Sequence, residues 1–189
     1  MTAILVVCTG NICRSPIAEG FLRRDMLRRF GPQAPSVSSV GIIAVAGAEP
    51  TEGSVLAAGE RGTDISGHRA RRLTGGQIRE ADLVICMAAE HREAVVDMVP
   101  EAATRTFTLK ELVRLLLAAP AIGPAESLRE RVAHADEARA RGSARDPYEE
   151  DIADPLGQPL QAYRGVAWEL DELIGRLDVG LFGPRRGGT

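Results

Sequence analysis

The start of the chain constrains the fold most strongly. It consists of a short apolar run, then a loop of small residues, then an amphipathic pattern. Residues 3–7 are all apolar, which is typical of a strand buried on both faces. Residues 8–15 form the loop, and Pro16 is suited to the first position of a helix. Apolar residues then recur at helical spacing at Ala18, Phe21, Leu22, Met26 and Phe30. The sequence therefore predicts a loop that joins the carboxyl end of a core strand to a helix N-terminus.

A loop in that position favours an anion, because free backbone N–H groups and the positive end of the helix dipole point at it. The same surroundings favour the thiolate form of a cysteine, so Cys8 is predicted to attack phosphorus. Arg14 can bind two phosphate oxygens through its planar fork. Ser15 can donate a hydrogen bond to the sulfur, which helps the sulfur to leave in a second step.

A second Cys-x5-Arg match lies at residues 86–92, and it also follows an apolar run. It contains no glycine, and Glu90 stands where a phosphate would bind. Glu93 occupies the position that Ser15 has in the first loop. We therefore predict that this second match is not catalytic.

The sequence Cys-Thr-Gly-Asn-Ile-Cys-Arg-Ser-Pro at residues 8–16 resembles the phosphate loop of the low-molecular-weight protein tyrosine phosphatases. Further segments resemble family motifs in the same order, at residues 39–41, 67–71, 81–87 and 154–157. Several weak matches ordered around one strong match make coincidence improbable. The resemblance covers most of the chain.

Strand and helix patterns alternate along the rest of the chain, which favours a parallel sheet flanked by helices. The predicted fold class is α/β, a four-stranded parallel sheet with helices on both faces and the phosphate loop between the first strand and the first helix. Residues 1–177 are expected to form a single phosphatase domain, with a flexible tail at 178–189. Residues 119–145 depart from the shorter family members and are predicted to be an insert that contains a short solvent-facing helix. The predicted strands after the first are 36–40, 82–87 and 104–108. The predicted helices after the first are one capped by Thr51 that ends at about residue 59 or 61, one capped by Thr74 that ends at residue 80, then 90–98, 109–118 and one around 163–177.

The second catalytic group is predicted to be an acid that protonates the leaving group and then activates water. Asp154-Pro155 resembles the acid loop of the family, because Gly157 and Tyr163 follow it in the family's pattern. Asp146-Pro147 lacks that continuation. Asp151 is interpreted as a charged neighbour or helper.

The resemblance also implies roles for residues around the loop. Backbone N–H groups of residues 9 to 14 are expected to bind the phosphate, together with neighbouring side chains, so that Thr9, Gly10, Asn11, Ile12, Cys13 and Ser15 are candidate substrate-binding residues. Asn11, Ser39 and His68 are expected to brace the loop through hydrogen bonds. Cys13 is either a reversible disulfide partner of Cys8 or a small core residue, and the sequence leaves both open.

Substrate selection is expected to depend on the walls of the site. Ile12 favours phosphotyrosine, since a phosphoarginine-hydrolysing branch of the family typically has Thr there. That branch nevertheless resembles residues 107–111, and Ile43 and Leu156 stand where tyrosine phosphatases often have aromatic rings. Phosphotyrosine on proteins is the leading hypothesis, and phosphoarginine is the alternative.

Two other classes of protein remain possible from the sequence. Arsenate reductases share the scaffold but need further cysteines, and Glu93 stands where a partner for Cys86 would be needed. A non-catalytic phosphate-binding module would need neither the Cys8 nucleophile nor the Asp154 acid.

Composition sets bounds on partners and location. A net charge of −3 argues against nucleic acid as an obligatory partner, and no apolar segment has the length of a membrane span. Three cysteines, two of them in the loop, indicate a reducing compartment, so a cytoplasmic location is expected. The resemblance to the phosphatase family implies phosphorylated proteins as substrates. No residue set has metal-ligand spacing, so no metal and no cofactor are predicted. The pairs 23–24 and 28–29, all arginine, are expected to form a solvated helix face.

Overall fold

The computed structural model describes residues 2–119, 126–142 and 147–184, without the side chains of residues 147 and 148. It is an α/β fold in which four parallel strands lie in the order β2-β1-β3-β4. The predicted fold class is confirmed. The strands are β1 (Ala3–Cys8), β2 (Ser36–Gly41), β3 (Leu83–Cys86) and β4 (Thr106–Thr108). The helices are α1 (Arg14–Phe30), α2 (Glu52–Gly59), α3 (Gly75–Glu80), α4 (Ala89–Met98), α5 (Leu109–Ala118), α6 (Leu128–Arg141) and α7 (Leu160–Phe182), with 3-10 turns at Gly31–Gln33, Pro100–Arg105 and Pro147–Glu150.

Strand β1 contributes side chains to the core on both faces of the sheet. Ile4 and Val6 pack in the larger cluster, with residues of α1, α2, α5, α6 and α7. Leu5 and Val7 pack in the smaller cluster, with residues of α3 and α4. The unbroken apolar run at the start of the chain therefore reflects a central strand covered on both sides.

The helix starts follow the predicted capping residues in α2 and α3. Thr51 accepts a hydrogen bond from the backbone of Ser54, and Thr74 forms a capping box with Gln77. Helix α1 begins earlier than expected, at Arg14, so the prediction that Pro16 occupies the first helical position is wrong. The proline is still tolerated, because N–H groups of the first turn have no partner within the helix.

Helix α7 continues to Phe182, so the prediction of a flexible tail is wrong for residues 178–182. Asp178 is buried, and its carboxylate oxygens accept hydrogen bonds from Arg29 Nε at 2.7 Å and Nη2 at 2.8 Å. Leu181 is also buried in the core. These contacts with α1 hold the last helical turn in place. Residues 185–189 lie outside the described residues.

The arginine pairs of α1 do not form one solvated face. The side chains of Arg23 and Arg28 are more than half exposed, as expected. Arg24 and Arg29 are mostly buried instead, and Arg24 Nη2 lies 2.5 Å from Asp171 Oδ1 on α7. The prediction is therefore wrong for these two residues, which join α1 to α7.

The described part of the insert is helix α6, and its inner side is buried. Leu128, Val132 and Ala135 lie in the core, so the helix is solvent-facing on one side only. Arg139 Nη1 donates to the Thr106 carbonyl of edge strand β4 at 3.0 Å, and its guanidinium lies 4.2 Å from the Phe107 ring centroid. Residues 120–125 and 143–146 lie outside the described residues. In the part of the chain that the structure describes, no helix is long and apolar enough to cross a membrane.

Candidate active site

The phosphate loop connects the last residue of β1 to the first residue of α1. Cys8 ends the strand and Arg14 begins the helix, and both are buried. Strand β2 ends against the loop at Gly41, where an added Cβ would lie 2.7 Å from the Thr9 carbonyl oxygen and 2.8 Å from the Asn11 nitrogen. Only glycine fits at this distance, so Gly41 allows the neighbouring strand to support the loop.

Two hydrogen-bond donors point at the sulfur of Cys8. The backbone N–H of Asn11 donates to Sγ at 3.3 Å, and Ser15 Oγ lies 2.9 Å from Sγ. Asn11 Nδ2 donates to Ser15 Oγ at 2.9 Å, so the hydroxyl hydrogen of Ser15 is free to point at the sulfur. The predicted contact between Ser15 and Cys8 is present.

Asn11 is the centre of the network that holds the loop. It has a positive φ of 56°, in the left-handed region. Its side chain donates to Ser39 Oγ at 2.8 Å and accepts from the backbone N–H of Arg71 at 2.8 Å. His68 Nε2 lies 3.1 Å from the Asn11 carbonyl oxygen. The structure thus brings Asn11, Ser39 and His68 together around the loop.

Glu19 completes this network, and sequence reasoning missed it. Ser39 Oγ donates to Glu19 Oε2 at 2.6 Å, and His68 Nδ1 lies 3.5 Å from the same oxygen. Burial alone would raise the pKa of Glu19, but hydrogen bonds from His68 and Ser39 and the charge of Arg23 lower it overall. The one indication in the sequence is that Glu19 follows Ser15 by four residues on α1, so the two side chains lie on the same face of the helix.

Arg14 and Asp154 form an ion pair at the mouth of the loop. Arg14 Nη2 lies 2.5 Å from Asp154 Oδ2, and the side chains are 5% and 42% exposed. The other terminal nitrogen, Nη1, donates to the Ile152 carbonyl at 3.1 Å. Asp154 Oδ1 accepts from the backbone N–H of Leu156 at 3.1 Å. The predicted nucleophile, cation and acid therefore lie in one place.

Asp151 anchors the loop that carries Asp154. Its Oδ1 accepts from the backbone N–H of Ala89, in the first turn of α4, at 2.7 Å. Its carbonyl accepts from Lys110 Nζ at 2.8 Å, and the Ile152 N–H donates to the Met87 carbonyl at 2.8 Å. The alternative acid, Asp146, lies outside the described residues.

A cavity of about 270 Å³ opens above the phosphate loop. Within the described residues, its lining includes no aromatic side chain. Ile43 and Leu156 are 63% and 55% exposed at its rim. Val45 and Ala48 also line it, and sequence reasoning did not single them out. The lining residues are Cys8, Thr9, Gly10, Ile12, Cys13, Arg14, Ile43, Val45, Ala48, Asp154 and Leu156.

The three cysteines differ in their surroundings, and all are free. Burial raises the pKa of Cys13, although hydrogen bonds with Thr51 and Ser54 oppose the shift. The disulfide between Cys8 and Cys13 stays a prediction. Cys86 is fully buried, which raises its pKa far above the usual range. The thiol of the second Cys-x5-Arg match therefore stays protonated, and Cys86 is not among the residues that line the cavity above the phosphate loop.

A family model described as low molecular weight phosphotyrosine protein phosphatase matches residues 3–119. The chain belongs to this family. Its enzyme class is that of a low-molecular-weight protein-tyrosine-phosphatase, a hydrolase that acts on phosphorylated proteins. The matched segment contains the phosphate loop but ends before α6 and the Asp154 loop.

Relatives of the phosphatase family differ in the substrate that their names state. A protein-arginine-phosphatase from Geobacillus stearothermophilus is 33% identical over 174 residues, which are 92% of each chain. The low-molecular-weight protein-tyrosine-phosphatase Etp of Escherichia coli K12 is 39% identical over 105 residues, 56% of this chain and 67% of Etp. The solved structure of the YwlE arginine phosphatase from G. stearothermophilus has a TM-score of 0.69 at 32% identity, covering 94% of this chain and 90% of that one.

Proposed function

We propose that the chain hydrolyses phosphotyrosine in proteins through a cysteinyl-phosphate intermediate. The observation that carries this proposal is the convergence of Cys8, Arg14 and Asp154 at the base of an apolar-walled cavity. Cys8 supplies the nucleophile, and the backbone N–H groups of residues 9 to 14, with Arg14, hold the phosphate oxygens. Asp154 supplies the acid.

The reaction has two displacements at phosphorus. In the first, the Cys8 thiolate forms a bond to phosphorus while the bond to the tyrosyl oxygen breaks, and Asp154 gives its proton to that oxygen. In the second, Asp154 removes a proton from water, the water oxygen bonds to phosphorus, and the sulfur leaves as a thiolate. Ser15, which has a hydroxyl hydrogen free for the sulfur, stabilises that leaving thiolate.

Substrate binding must open the ion pair between Arg14 and Asp154. Arg14 Nη1 is held by the Ile152 carbonyl, while Nη2 is shared between Thr9 Oγ1 and Asp154 Oδ2. An incoming phosphate needs Nη2, so it competes with the Asp154 carboxylate for the same donor. Asp154 is the more exposed partner, so its carboxyl group can turn towards the leaving group once the ion pair opens.

The cavity walls support phosphotyrosine as the substrate. Ile12, Ile43 and Leu156 are aliphatic and can pack against the faces of a neutral phenol ring. A phosphoarginine side chain carries a guanidinium group, which needs an acidic partner. Among the described lining residues, Asp154 is the only carboxylate, so a guanidinium group would find no acidic partner besides the residue that protonates its leaving nitrogen.

Phosphoarginine is the second candidate, and two observations favour it. The described lining has no aromatic ring to stack on a phenol. The protein-arginine-phosphatase of G. stearothermophilus aligns over 92% of this chain. Tyr148 is an aromatic residue six positions before Asp154, and its side chain lies outside the described residues.

The test compares kcat/KM for two peptides of one sequence, carrying phosphotyrosine or phosphoarginine, in the absence of metal. We expect a preference for phosphotyrosine and a fall in kcat of about 100-fold in Asp154→Ala. The control variants are Ile12→Val, which keeps the aliphatic wall, and Ile12→Thr, which we expect to shift the preference towards phosphoarginine. A wild-type preference for phosphoarginine would contradict the proposed substrate but not the proposed reaction.

A further inference from the structure

His91 lies behind the phosphate loop, in the first turn of α4. Its side chain is 1% exposed, and Nε2 lies 2.9 Å from Thr9 Oγ1. Thr9 lines the cavity, and the same oxygen accepts a hydrogen bond from Arg14 Nη2 at 3.1 Å. The Thr9 hydroxyl group is therefore held between a cation and a buried imidazole.

Two neighbouring features indicate that His91 carries its proton on Nε2. Glu90 Oε1 lies 3.4 Å from Nε2, and its negative charge disfavours a lone pair on that nitrogen. Nδ1 is buried and has no hydrogen-bond partner among the described residues. A buried nitrogen without a partner is tolerated better as an acceptor than as an N–H donor. The tautomer with hydrogen on Nε2 meets both conditions and lets His91 donate to Thr9.

The imidazole has only one proton to place, because it is neutral. Burial, together with the nearby charge of Arg14, lowers the pKa of His91 to about 4, although Asp154 opposes the shift. His91 is therefore an uncharged donor at neutral pH, and it adds no second cation beside Arg14.

The two donors, Arg14 and His91, leave the hydrogen of the Thr9 hydroxyl unused. A hydroxyl oxygen has two acceptor sites and one hydrogen, and Arg14 and His91 occupy both acceptor sites. Within the parts of the chain that the structure describes, Thr9 Oγ1 has no third hydrogen-bond partner. Its hydrogen remains free to donate to an anion in the cavity that Thr9 lines.

We propose that His91 is a positioning residue that makes the Thr9 hydroxyl a side-chain hydrogen-bond donor to the bound phosphoryl group. This inference rests on the proposed function of the same site. It adds one donor to the backbone N–H groups and Arg14. It also gives a role to part of the 86–92 segment, which contributes a histidine instead of a second nucleophile.

The tautomer is measured first, on the wild-type protein, by nitrogen-15 NMR of the imidazole groups at neutral pH. The chain has three histidines, so His91→Phe and His134→Phe assign the signals. We expect the proton of His91 on Nε2, and a change in its signal when inorganic phosphate is added. A proton on Nδ1 would overturn the proposal, since Thr9 would then have to donate to His91.

The second experiment measures the affinity for inorganic phosphate by calorimetry. Loss of one hydrogen bond to a charged group in Thr9→Val should weaken binding by about 10- to 150-fold, and His91→Phe should weaken it similarly. The double variant should bind no more weakly than Thr9→Val, because His91 acts on phosphate only through the Thr9 hydroxyl. His91→Gln, whose amide can donate, and Thr9→Ser should bind within about threefold of wild type. His134→Phe, on α6, is the matched control and should bind as wild type.

Phosphate affinity unchanged in His91→Phe, or single-variant losses that multiply in the double variant, would overturn the proposal. So would a loss in His91→Gln as large as that in His91→Phe. If the phenylalanine variant does not fold, the wild-type tautomer and the glutamine variant decide the question. Neither measurement requires turnover, so an absence of hydrolysis in the wild type would refute the proposed function while these results still judge His91.

Discussion

Replacement of Lys110 by Met tests how the acid loop is held. Lys110 is the only lysine in the chain. Its Nζ donates to the Asp151 carbonyl at 2.8 Å and lies 2.7 Å from Glu169 Oε1 on α7. Methionine keeps the length of the side chain but removes the ammonium group. The variant therefore breaks the contact between α5 and the loop without opening a large cavity.

The loss of stability follows from these two contacts. A hydrogen bond from a charged group contributes about 1.5–3 kcal/mol, whereas a partly exposed ion pair contributes about 0.2–1 kcal/mol. The side chains of Lys110 and Glu169 are 28% and 32% exposed, so water replaces part of what is lost. We expect the free energy of unfolding to fall by about 2 kcal/mol, and Tm to fall by about 4–8 °C.

The loss of activity should depend on the leaving group. The loop keeps its contacts with Ala89, Met87 and Arg14, so Asp154 stays near the site but is less well oriented. We expect kcat for a phosphotyrosine peptide to fall by about tenfold. A nitrophenyl phosphate, whose leaving group needs little protonation, should lose less than about threefold in kcat.

Glu169→Gln is the matched control, because it removes the ion pair and keeps the bond from Lys110 to Asp151. It should lose no more than about 1 kcal/mol of stability and show no change in leaving-group dependence. Equal losses of kcat on both substrates in Lys110→Met would refute the reasoning about the acid loop. An unchanged free energy of unfolding in that variant would refute the estimate of its contacts.

Three further predictions concern the phosphate loop and its surroundings. The free energy of unfolding of Asn11→Ala, measured with denaturant, should be about 3 kcal/mol lower, because the variant removes the side-chain hydrogen bonds and leaves alanine at a positive φ. Asn11→Gly should lose about 1 kcal/mol less. Equal losses would show that the backbone at residue 11 is unstrained. Arg14→Lys should lower kcat by about 100-fold or more, measured with a phosphotyrosine peptide, since lysine cannot replace the planar fork, and a mild effect would contradict that role. Because the pKa of His91 is lowered from 6.5 to about 4, its stabilisation is complete above pH 6.5 and is lost as the pH falls towards 4. Between pH 7 and about 5 the wild type should lose about 2 kcal/mol more than His91→Gln, and parallel pH profiles of unfolding would contradict the assignment.

Local pattern was enough to predict the sheet and the phosphate loop. The apolar run before Cys8 and the amphipathic pattern after Pro16 are contained within about thirty residues. The strand, loop and helix that they specify are neighbours both in the sequence and in space. Asp154 could be predicted as the acid only from the resemblance to the family, because its contact with Arg14 joins residues 140 positions apart.

The residues that sequence reasoning missed act through long-range contacts. Nothing near His91 in the sequence indicates Thr9, which is 82 positions away. The glycine, proline and arginine residues near the C-terminus predict a tail at the end of α7. The ion pair between Arg29 and Asp178, which holds this part of the helix, joins residues 149 positions apart. The spacing of apolar residues predicts which side of a helix is buried, but it does not predict which polar side chains from other elements contact that helix.

The central claim is that phosphate is transferred to Cys8, and rapid chemical quenching tests it most directly. A nitrophenyl phosphate, whose leaving group needs little protonation, should still phosphorylate Cys8 in Asp154→Ala, while the second step, which needs Asp154 as a base, should be slow. The variant mixed with this substrate and quenched in acid should therefore be heavier by one phosphoryl group. Digestion and mass spectrometry should place that group on the peptide containing Cys8, with none on Cys8→Ala treated in the same way. A wild-type enzyme that hydrolyses the nitrophenyl phosphate while no phosphoryl group reaches Cys8 in the Asp154 variant would contradict the account.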